Sequence, residues 1–168
     1  DIICLQETWL DKDDNLDGLS LPEYELSINS QGQGKGIATY FKSKYSKNQD
    51  VSEKNLQMTL ISNEKFDIIN IYRSAENKTL TNKLRDIVNP GKPTLICGDL
   101  NSDISRENPD FLQTLQDFGF KKVNQKPTHD MGRNIDYILV NSFLSETVTF
   151  RQIGVGFSDH DCLLIKIE

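Results

Sequence analysis

Three apolar segments of the sequence each run into polar residues that could do chemistry. Glu7 follows "IICLQ", and Asp99 and Asn101 follow "TLICG". Asp159 and His160 come directly before "CLLIKI". Each motif alone also fits a turn or a surface histidine. Enzymes hold a divalent cation with clustered carboxylates, and the cation then carries the positive charge that meets a phosphate. If the three segments are neighbouring strands, their polar ends converge in one pocket.

The elements that must position these residues are mostly strands. Alternating or continuous apolar patterns with turn residues between them predict the following segments. They are Ile2–Gln6, Tyr24–Asn29, Gly36–Phe41, Leu56–Ser62, Phe66–Tyr72, Thr94–Gly98, Ile135–Val140, Thr147–Gln152 and Leu163–Ile167. Two helices are predicted at 79–88 and from Pro109 onward, the second with Asn108 as its N-cap. The order indicates one α/β domain, with sheets packed face to face and helices outside.

Composition bounds the class of protein. A chain of 168 residues with 36% apolar residues fits one globular domain. It has no apolar run near the ~20 residues of a membrane span, so no membrane partner is expected. The net charge of −6 argues against nucleic-acid binding through a broad basic surface. It leaves a cation-dependent nuclease open, because the ion supplies the positive charge.

The three cysteines and the small number of histidines do not suggest a zinc site. Cys4, Cys97 and Cys162 lie in apolar runs without a C-x-x-C partner, which predicts reduced, buried thiols in an intracellular protein. Only two histidines are present, which disfavours a zinc site. His129 is predicted to be a solvated loop residue.

Six stretches, in this order along nearly the whole chain, resemble the endonuclease/exonuclease/phosphatase family of divalent-metal phosphoesterases. They are "LQETWL", "GKGIATYFKS", "INIYRSAENK", "ICGDLNSDI", "QKPTHDMGRNIDYILVNS" and "GFSDHDCLLI". The "IYR", "PTH" and "IDYILVN" stretches look most like the endonuclease domains of non-LTR retrotransposons and related mobile elements. The resemblance implies a DNase I-like fold, a four-layer α/β/β/α sandwich of two packed sheets flanked by helices.

The resemblance also implies roles for the residues at the strand ends. Glu7 would be the main carboxylate ligand of Mg²⁺ or Mn²⁺. Asp99 would position or deprotonate the attacking water, and Asn101 would orient that aspartate and the phosphate. His160 would stabilise the charge on the scissile phosphate, with Asp136 hydrogen-bonded to its ring.

Further residues are implied around this group. Asp159 would be a second acidic group near the metal, and Tyr72 would touch the phosphate. Thr128, Arg73 and Ser158 would contact the substrate. The reaction implied is in-line attack on a phosphodiester without a covalent intermediate.

Three functions follow as hypotheses. The first is a Mg²⁺-dependent endonuclease that nicks target DNA for a mobile element, acting inside the cell and in the nucleus if it cuts genomic DNA there. The chain is compatible with attachment to further domains of a larger polyprotein. The second is a phosphoesterase of the same fold that acts on RNA, a phosphoinositide or a sphingolipid. The third is a catalytically impaired domain kept as a scaffold. The "IYR" and "PTH" stretches favour the first, and the complete set of polar residues disfavours the third.

The start of the chain differs from the family pattern. Members normally begin with a strand that ends in an asparagine, whereas this sequence opens directly before the strand that carries "CLQE". We therefore expect an N-terminally incomplete domain that lacks its first strand, with reduced activity. The open sheet edge is expected to favour association.

Overall fold

The structure is a computed structural model that describes residues 1–10, 14–30, 32, 35–74 and 77–168. Its strands are β1 (Ile2–Gln6), β2 (Tyr24–Asn29), β3 (Ile37–Lys42), β4 (Ser46–Glu53), β5 (Leu56–Ser62), β6 (Asp67–Arg73), β7 (Thr94–Asp99), β8 (Lys121–Lys122), β9 (Asp136–Val140), β10 (Val148–Ile153) and β11 (Cys162–Ile167). The α-helices are α1 (Leu80–Ile87) and α2 (Pro109–Asp117), and short 3-10 turns span Asp17–Leu19 and Ile104–Arg106. All nine predicted strands and both predicted helices are confirmed, and no strand bound differs from the prediction by more than one residue. Part of the "INIYRSAENK" stretch, Ala75 and Glu76, lies outside the described residues.

The largest sheet places three polar side chains of the predicted site in one row. Its strands run in the order β4-β5-β6-β7-β9-β8, and only β6 and β7 are parallel to each other. Tyr72 on β6 is in register with Asp99 on β7, which in turn pairs with Asp136 on β9. Gly98 has a φ of +142°, and a Cβ there would lie 1.8 Å from the Ile71 carbonyl oxygen. Only glycine therefore fits immediately before Asp99.

Two smaller antiparallel sheets form the next layer. One has the order β1-β3-β2 and the other consists of β10 and β11. β1 and β11 are each the last strand of their sheet, and together they line a groove of about 1130 Å³. Ile68, Leu95 and Cys97 of the large sheet also line this groove. Two sheet edges with free backbone groups thus face one apolar groove.

Apolar side chains fill both faces of the large sheet. On one face, Leu84 of α1 and Phe111 of α2 belong to the main core cluster together with Ile69 and Ile96 of the sheet. On the other face, the small sheets contribute partly buried residues such as Ile165 to a second cluster. The predicted helix start is confirmed, because the Asn108 side chain accepts a hydrogen bond from the Phe111 amide at 2.8 Å.

The predicted sandwich of packed sheets and flanking helices is confirmed. Both α-helices contribute to the same core cluster on one face of the large sheet. Over the small sheets lies the 3-10 turn Asp17–Leu19, whose Leu19 carbonyl accepts a hydrogen bond from the Tyr40 hydroxyl at 2.7 Å. The sequence pattern also missed β4 and β8. β4 reads "SKNQDVSE" and is mostly exposed at the sheet edge, so it lacks an apolar period.

The cysteine prediction is partly wrong. All three thiols are free, but Cys4 and Cys97 are only partly buried and Cys162 is exposed. Cys162 begins β11, where alternate side chains point away from the core. No helix in the described ranges is long and apolar enough to cross a membrane.

Candidate active site

Asp99 ends β7 as a buried carboxylate held by the turn that follows it. The residue is only 2% exposed. The Asn101 backbone amide donates to Asp99 Oδ1 at 2.7 Å, and the Asn101 side-chain amide donates to Oδ2 at 3.2 Å. Asn101 has a φ of 52°, a conformation that asparagine tolerates better than most residues. The Asp-x-Asn stretch is therefore both a turn and the support of a buried acid.

Asp136 and His160 form a hydrogen-bonded pair beside Asp99. His160 Nδ1 lies 2.9 Å from Asp136 Oδ2 and 3.1 Å from Oδ1, so the predicted contact is present. The hydrogen bond to Asp136 raises the pKa of His160 to about 9 against the opposing effect of burial. The imidazole ring is therefore a cation at neutral pH.

Negative charge accumulates around Asp99. Burial and the nearby carboxylate of Asp136 raise the pKa of Asp99 to about 7, with a smaller contribution from Glu7. The Asn101 amide and the His160 ring act in the opposite direction. The ligand atoms of Asp99, Asp136 and His160 lie within 4.8 Å of one another. A carboxyl with a pKa near neutrality is suited to accept a proton.

Glu7 reaches the same site from β1 through a tyrosine. The Tyr72 hydroxyl donates to Glu7 Oε1 at 2.6 Å. Burial, followed by this contact with Glu7, raises the pKa of Tyr72 well above its ordinary value, so the phenol stays protonated as a donor. Glu7 is exposed and has a φ of 50°, a left-handed backbone that is uncommon for glutamate. Strained backbone of this kind clusters at functional sites.

The donor set fits a hard divalent cation. Asp99, Asp136, Asp159 and Glu7 all line the groove that passes the site, together with His160. Carboxylate oxygens are the ligands that Mg²⁺ and Mn²⁺ prefer. A bound cation would offset the mutual repulsion of the carboxylates that raises the pKa of Asp99. Glu7 belongs to neither of the two tight clusters of potential ligand atoms found within the described ranges, and its link to the site is the Tyr72 hydroxyl.

Asp159 sits with a histidine that sequence reasoning misplaced. The His129 side chain is 7% exposed rather than solvated, and its Nε2 lies 3.4 Å from Asp159 Oδ2. Its ring packs edge-on against His160, with ring centres 4.8 Å apart. The ligand atoms of His129, Asp159 and His160 form a second cluster within 4.8 Å. The only available signal was the "PTH" stretch, because the bridge that pairs the two histidines joins residues distant in sequence.

Two of the predicted substrate contacts, Thr128 and Ser158, accept hydrogen bonds from the backbone of the Asp136–His160 pair. Thr128 is 1% exposed, and its Oγ1 accepts a hydrogen bond from the Asp136 amide at 3.2 Å. The predicted contact of Thr128 with a nucleic-acid backbone does not fit this burial. Ser158 is exposed in the groove, and its Oγ accepts a hydrogen bond from the His160 amide at 3.1 Å. It is open to a substrate.

Arg73 is also buried, which corrects its predicted role. Its guanidinium pairs with both carboxylate oxygens of Glu107, and the side chains are 4% and 3% exposed. Its Nε donates to the Leu100 carbonyl at 2.9 Å. An arginine with these partners and this burial is not available to a substrate phosphate.

Exposed aromatic side chains lie beside the acidic groups. Trp9 is 65% exposed and Phe157 is 90% exposed, and both line the groove with Glu7 and His160. Exposed apolar patches rimmed by polar residues mark binding surfaces, and these two rings are the candidates for such a patch beside the acidic groups.

Comparisons with solved structures agree with this fold. The endonuclease domain of TRAS1, a telomere-specific non-LTR retrotransposon, is 16% identical, with a TM-score of 0.70 over 99% of this chain and 84% of that one. A 3'-5' exonuclease from Neisseria meningitidis is 17% identical, with a TM-score of 0.75 over 100% and 89%. The human Nocturnin catalytic domain is 15% identical, with a TM-score of 0.61 over 99% and 81%. At these identities the likeness concerns the fold alone.

Sequence comparison gives the family. No curated protein sequence matches this chain. The model of the Endonuclease/Exonuclease/phosphatase family matches residues 1–160, which is nearly the whole chain. The chain has the fold of nucleases and phosphoesterases, and the family resemblance seen in its motifs is confirmed. It belongs to the endonuclease/exonuclease/phosphatase family.

Proposed function

We propose that this protein is a divalent-cation-dependent phosphodiesterase that nicks DNA for a mobile element. The observation that carries the proposal is the buried Asp99 carboxyl, with a pKa of about 7, next to the Asp136–His160 pair. When water attacks a phosphodiester, a base whose pKa is near neutrality can take the proton from the water, and a fixed positive charge can stabilise the phosphate. Asp99 is suited to the first task and the His160 imidazolium to the second.

The residues divide the work by their chemistry. Asp99 accepts the proton of the attacking water, and Asn101 keeps the carboxylate oriented through its two hydrogen bonds. The His160 imidazolium stabilises negative charge on the phosphate, and Asp136 holds that ring in place and charged. The Tyr72 hydroxyl lies at the same edge of the sheet and remains a hydrogen-bond donor.

A cation would be held by acidic groups that follow β1 and precede β11. Glu7 is the proposed main ligand, and Asp159 is a second acidic group near it. Mg²⁺ or Mn²⁺ supplies Lewis-acid stabilisation of phosphate charge when it is bound. Glu7 also accepts the Tyr72 hydrogen bond through Oε1, and its second carboxylate oxygen would be the atom to bind an ion.

DNA is the proposed substrate. The TRAS1 domain of similar fold is an endonuclease, and a Neisseria 3' phosphatase of similar fold binds a product DNA hairpin. The exposed rings of Trp9 and Phe157 offer surfaces on which bases can stack. A net charge of −6 favours recognition through the cation and these rings over a broad basic surface.

One set of incubations tests this proposal. The protein is incubated with supercoiled plasmid, a phosphoinositide and a polyadenylated RNA, each with Mg²⁺ and with chelator. Nicking of the plasmid only with Mg²⁺ is expected. Turnover of the RNA or the lipid alone would assign the same site to another phosphoester, and no turnover of any substrate would leave a domain without the proposed activity.

A further inference from the structure

We propose that Arg73 and Glu107 act as a positioning pair that holds the Asp99–Asn101 turn in its productive geometry. The pair touches no reacting atom, and its role rests on the proposed function of Asp99. Neither the family resemblance nor the predicted substrate contact of Arg73 requires an arginine buried in this way.

Arg73 contacts the turn at its middle residue, Leu100. Arg73 Nε donates to the Leu100 carbonyl at 2.9 Å, and Leu100 stands between the buried acid and Asn101. In return, the Asn101 side-chain amide donates to the Arg73 carbonyl at 3.0 Å. Arg73 therefore contacts the turn through both its side chain and its backbone.

Glu107 fixes the guanidinium from the opposite side. Its two carboxylate oxygens accept from Nη1, at 3.0 Å, and from Nη2 of Arg73. Glu107 directly precedes Asn108, the N-cap of α2, so its backbone is held by the start of that helix. The pair thus connects the end of β6, the end of β7 and the start of α2.

The remaining side of the turn is held independently. The Leu100 amide donates to the Ile135 carbonyl at 3.0 Å, and the Tyr137 hydroxyl donates to the Ser102 carbonyl at 2.9 Å. These bonds keep the chain path when the ion pair is removed. The Arg73 contacts are what set the position of the Leu100 carbonyl and the Asn101 amide relative to Asp99.

Energetics separate this role from simple stabilisation. Replacing a buried ion pair by apolar residues of similar volume is often neutral or stabilising, whereas leaving one partner unpaired is costly. A double variant, Arg73→Met with Glu107→Leu, should therefore fold and melt near the parent temperature. It lacks the Nε donor to Leu100, so the turn loses its orientation while the core stays packed.

The experiment compares this double variant with Arg73→Lys and with a matched control. Arg73→Lys keeps the charge next to Glu107 but lacks the planar guanidinium that bonds Glu107 and Leu100 together. The control is Arg85→Met, which removes an exposed ion pair with Asp110 of 2.8 Å outside the site. The readouts are the melting temperature, kcat and KM for plasmid nicking, and hydrogen exchange of the Asn101 backbone amide.

The expected result is a fall in kcat on the order of 10²-fold in the double variant, with KM and melting temperature unchanged, because small misplacements of a catalytic group cost about that much. Exchange of the Asn101 amide should accelerate in the double variant and in Arg73→Lys, and Arg85→Met should change neither quantity. Parental kcat and parental exchange in a folded double variant would overturn the proposal. If that variant fails to fold, the same two readouts in Arg73→Lys decide.

Failure of the proposed function is distinguishable from failure of the pair. If the parent protein cleaves no phosphodiester, amide exchange at Asn101 still reports whether Arg73 orders the turn. Slow exchange in the parent and fast exchange in Arg73→Lys would support the pair in that case, and equal exchange would overturn it.

Discussion

His160 Nδ1 lies 2.9 Å from Asp136 Oδ2, and this hydrogen bond joins a ring on the loop before β11 to a carboxylate at the start of β9. The contact raises the pKa of His160 to about 9. The site therefore contains a positive charge opposite the buried Asp99, fixed by the sheet rather than by solvent.

Asp136→Asn should lower the pKa of His160 toward its ordinary value of about 6.5, since the variant removes the first cause of the shift. An NMR titration of the ring protons measures this directly. Identical His160 pKa values in both proteins would remove Asp136 from the proposed role.

The same pair makes stability depend on pH. A histidine whose pKa is raised on folding contributes stability that is fully present below about pH 6.5 and is lost as pH rises through about 9. The melting temperature of the parent should therefore fall across this window relative to Asp136→Asn. Parallel melting curves from pH 6 to 10 would contradict this linkage.

Activity should depend on pH through Asp99. The carboxyl must be ionised to accept a proton, so kcat/KM at low Mg²⁺ should rise through about pH 7. It should fall again as His160 loses its proton near pH 9. Saturating Mg²⁺ should move the acidic limb to lower pH, because a nearby cation favours the carboxylate. An acidic limb at the same pH in Asp99→Asn, with undiminished rate, would assign it to another group.

Substitutions at Glu7 and at Asp99 should remove different functions of the site. Glu7→Gln should weaken metal binding, and Asp99→Asn should abolish water activation. Each should lower nicking by about 10² or more without unfolding the protein. Calorimetric titration with Mn²⁺ separates the two, since only Glu7→Gln should raise the Mn²⁺ dissociation constant strongly. Activity that survives in chelator would contradict both assignments.

The open edges of β1 and β11 should promote association. Leu164 is 55% exposed on the edge strand β11. A charged residue at such a position would disfavour edge-to-edge pairing of two sheets. Leu164→Lys should therefore lower the mass-average association state at high protein concentration, as measured by sedimentation. Leu16→Lys, at a 43% exposed position away from the groove, is the control. Equal lowering by both variants would show that the edge is not responsible.

Sequence reasoning placed the strand-end acids well because strand ends are local features. "TLICG" predicts a buried strand that runs into Asp99, and the structure ends β7 at that residue. The strand pattern did not single out Asp136, which the structure pairs with Asp99 across β7 and β9. The Asp136–His160 contact came from the family resemblance, and the structure contains it.

The site predictions that the structure corrects concern polar residues buried by partners on other elements. Arg73 pairs with Glu107, Thr128 accepts a hydrogen bond from the Asp136 amide, and His129 packs edge-on against His160. Nothing in the residue types distinguishes such buried groups from exposed ones. Their burial is decided by tertiary contacts, which a periodic pattern does not encode.

The groove between β1 and β11 also contains a cysteine, Cys162, whose reactivity can report on the groove. Cys162 is exposed at the groove wall, whereas a hydrogen bond with Cys97, followed by burial, raises the pKa of Cys4 well above its ordinary range. Thiolates react and thiols do not, so a thiol-specific dye should label Cys162 first and Cys4 slowly. The labelling rate of Cys162 therefore measures, in the native protein and without any mutation, whether that groove is open or covered.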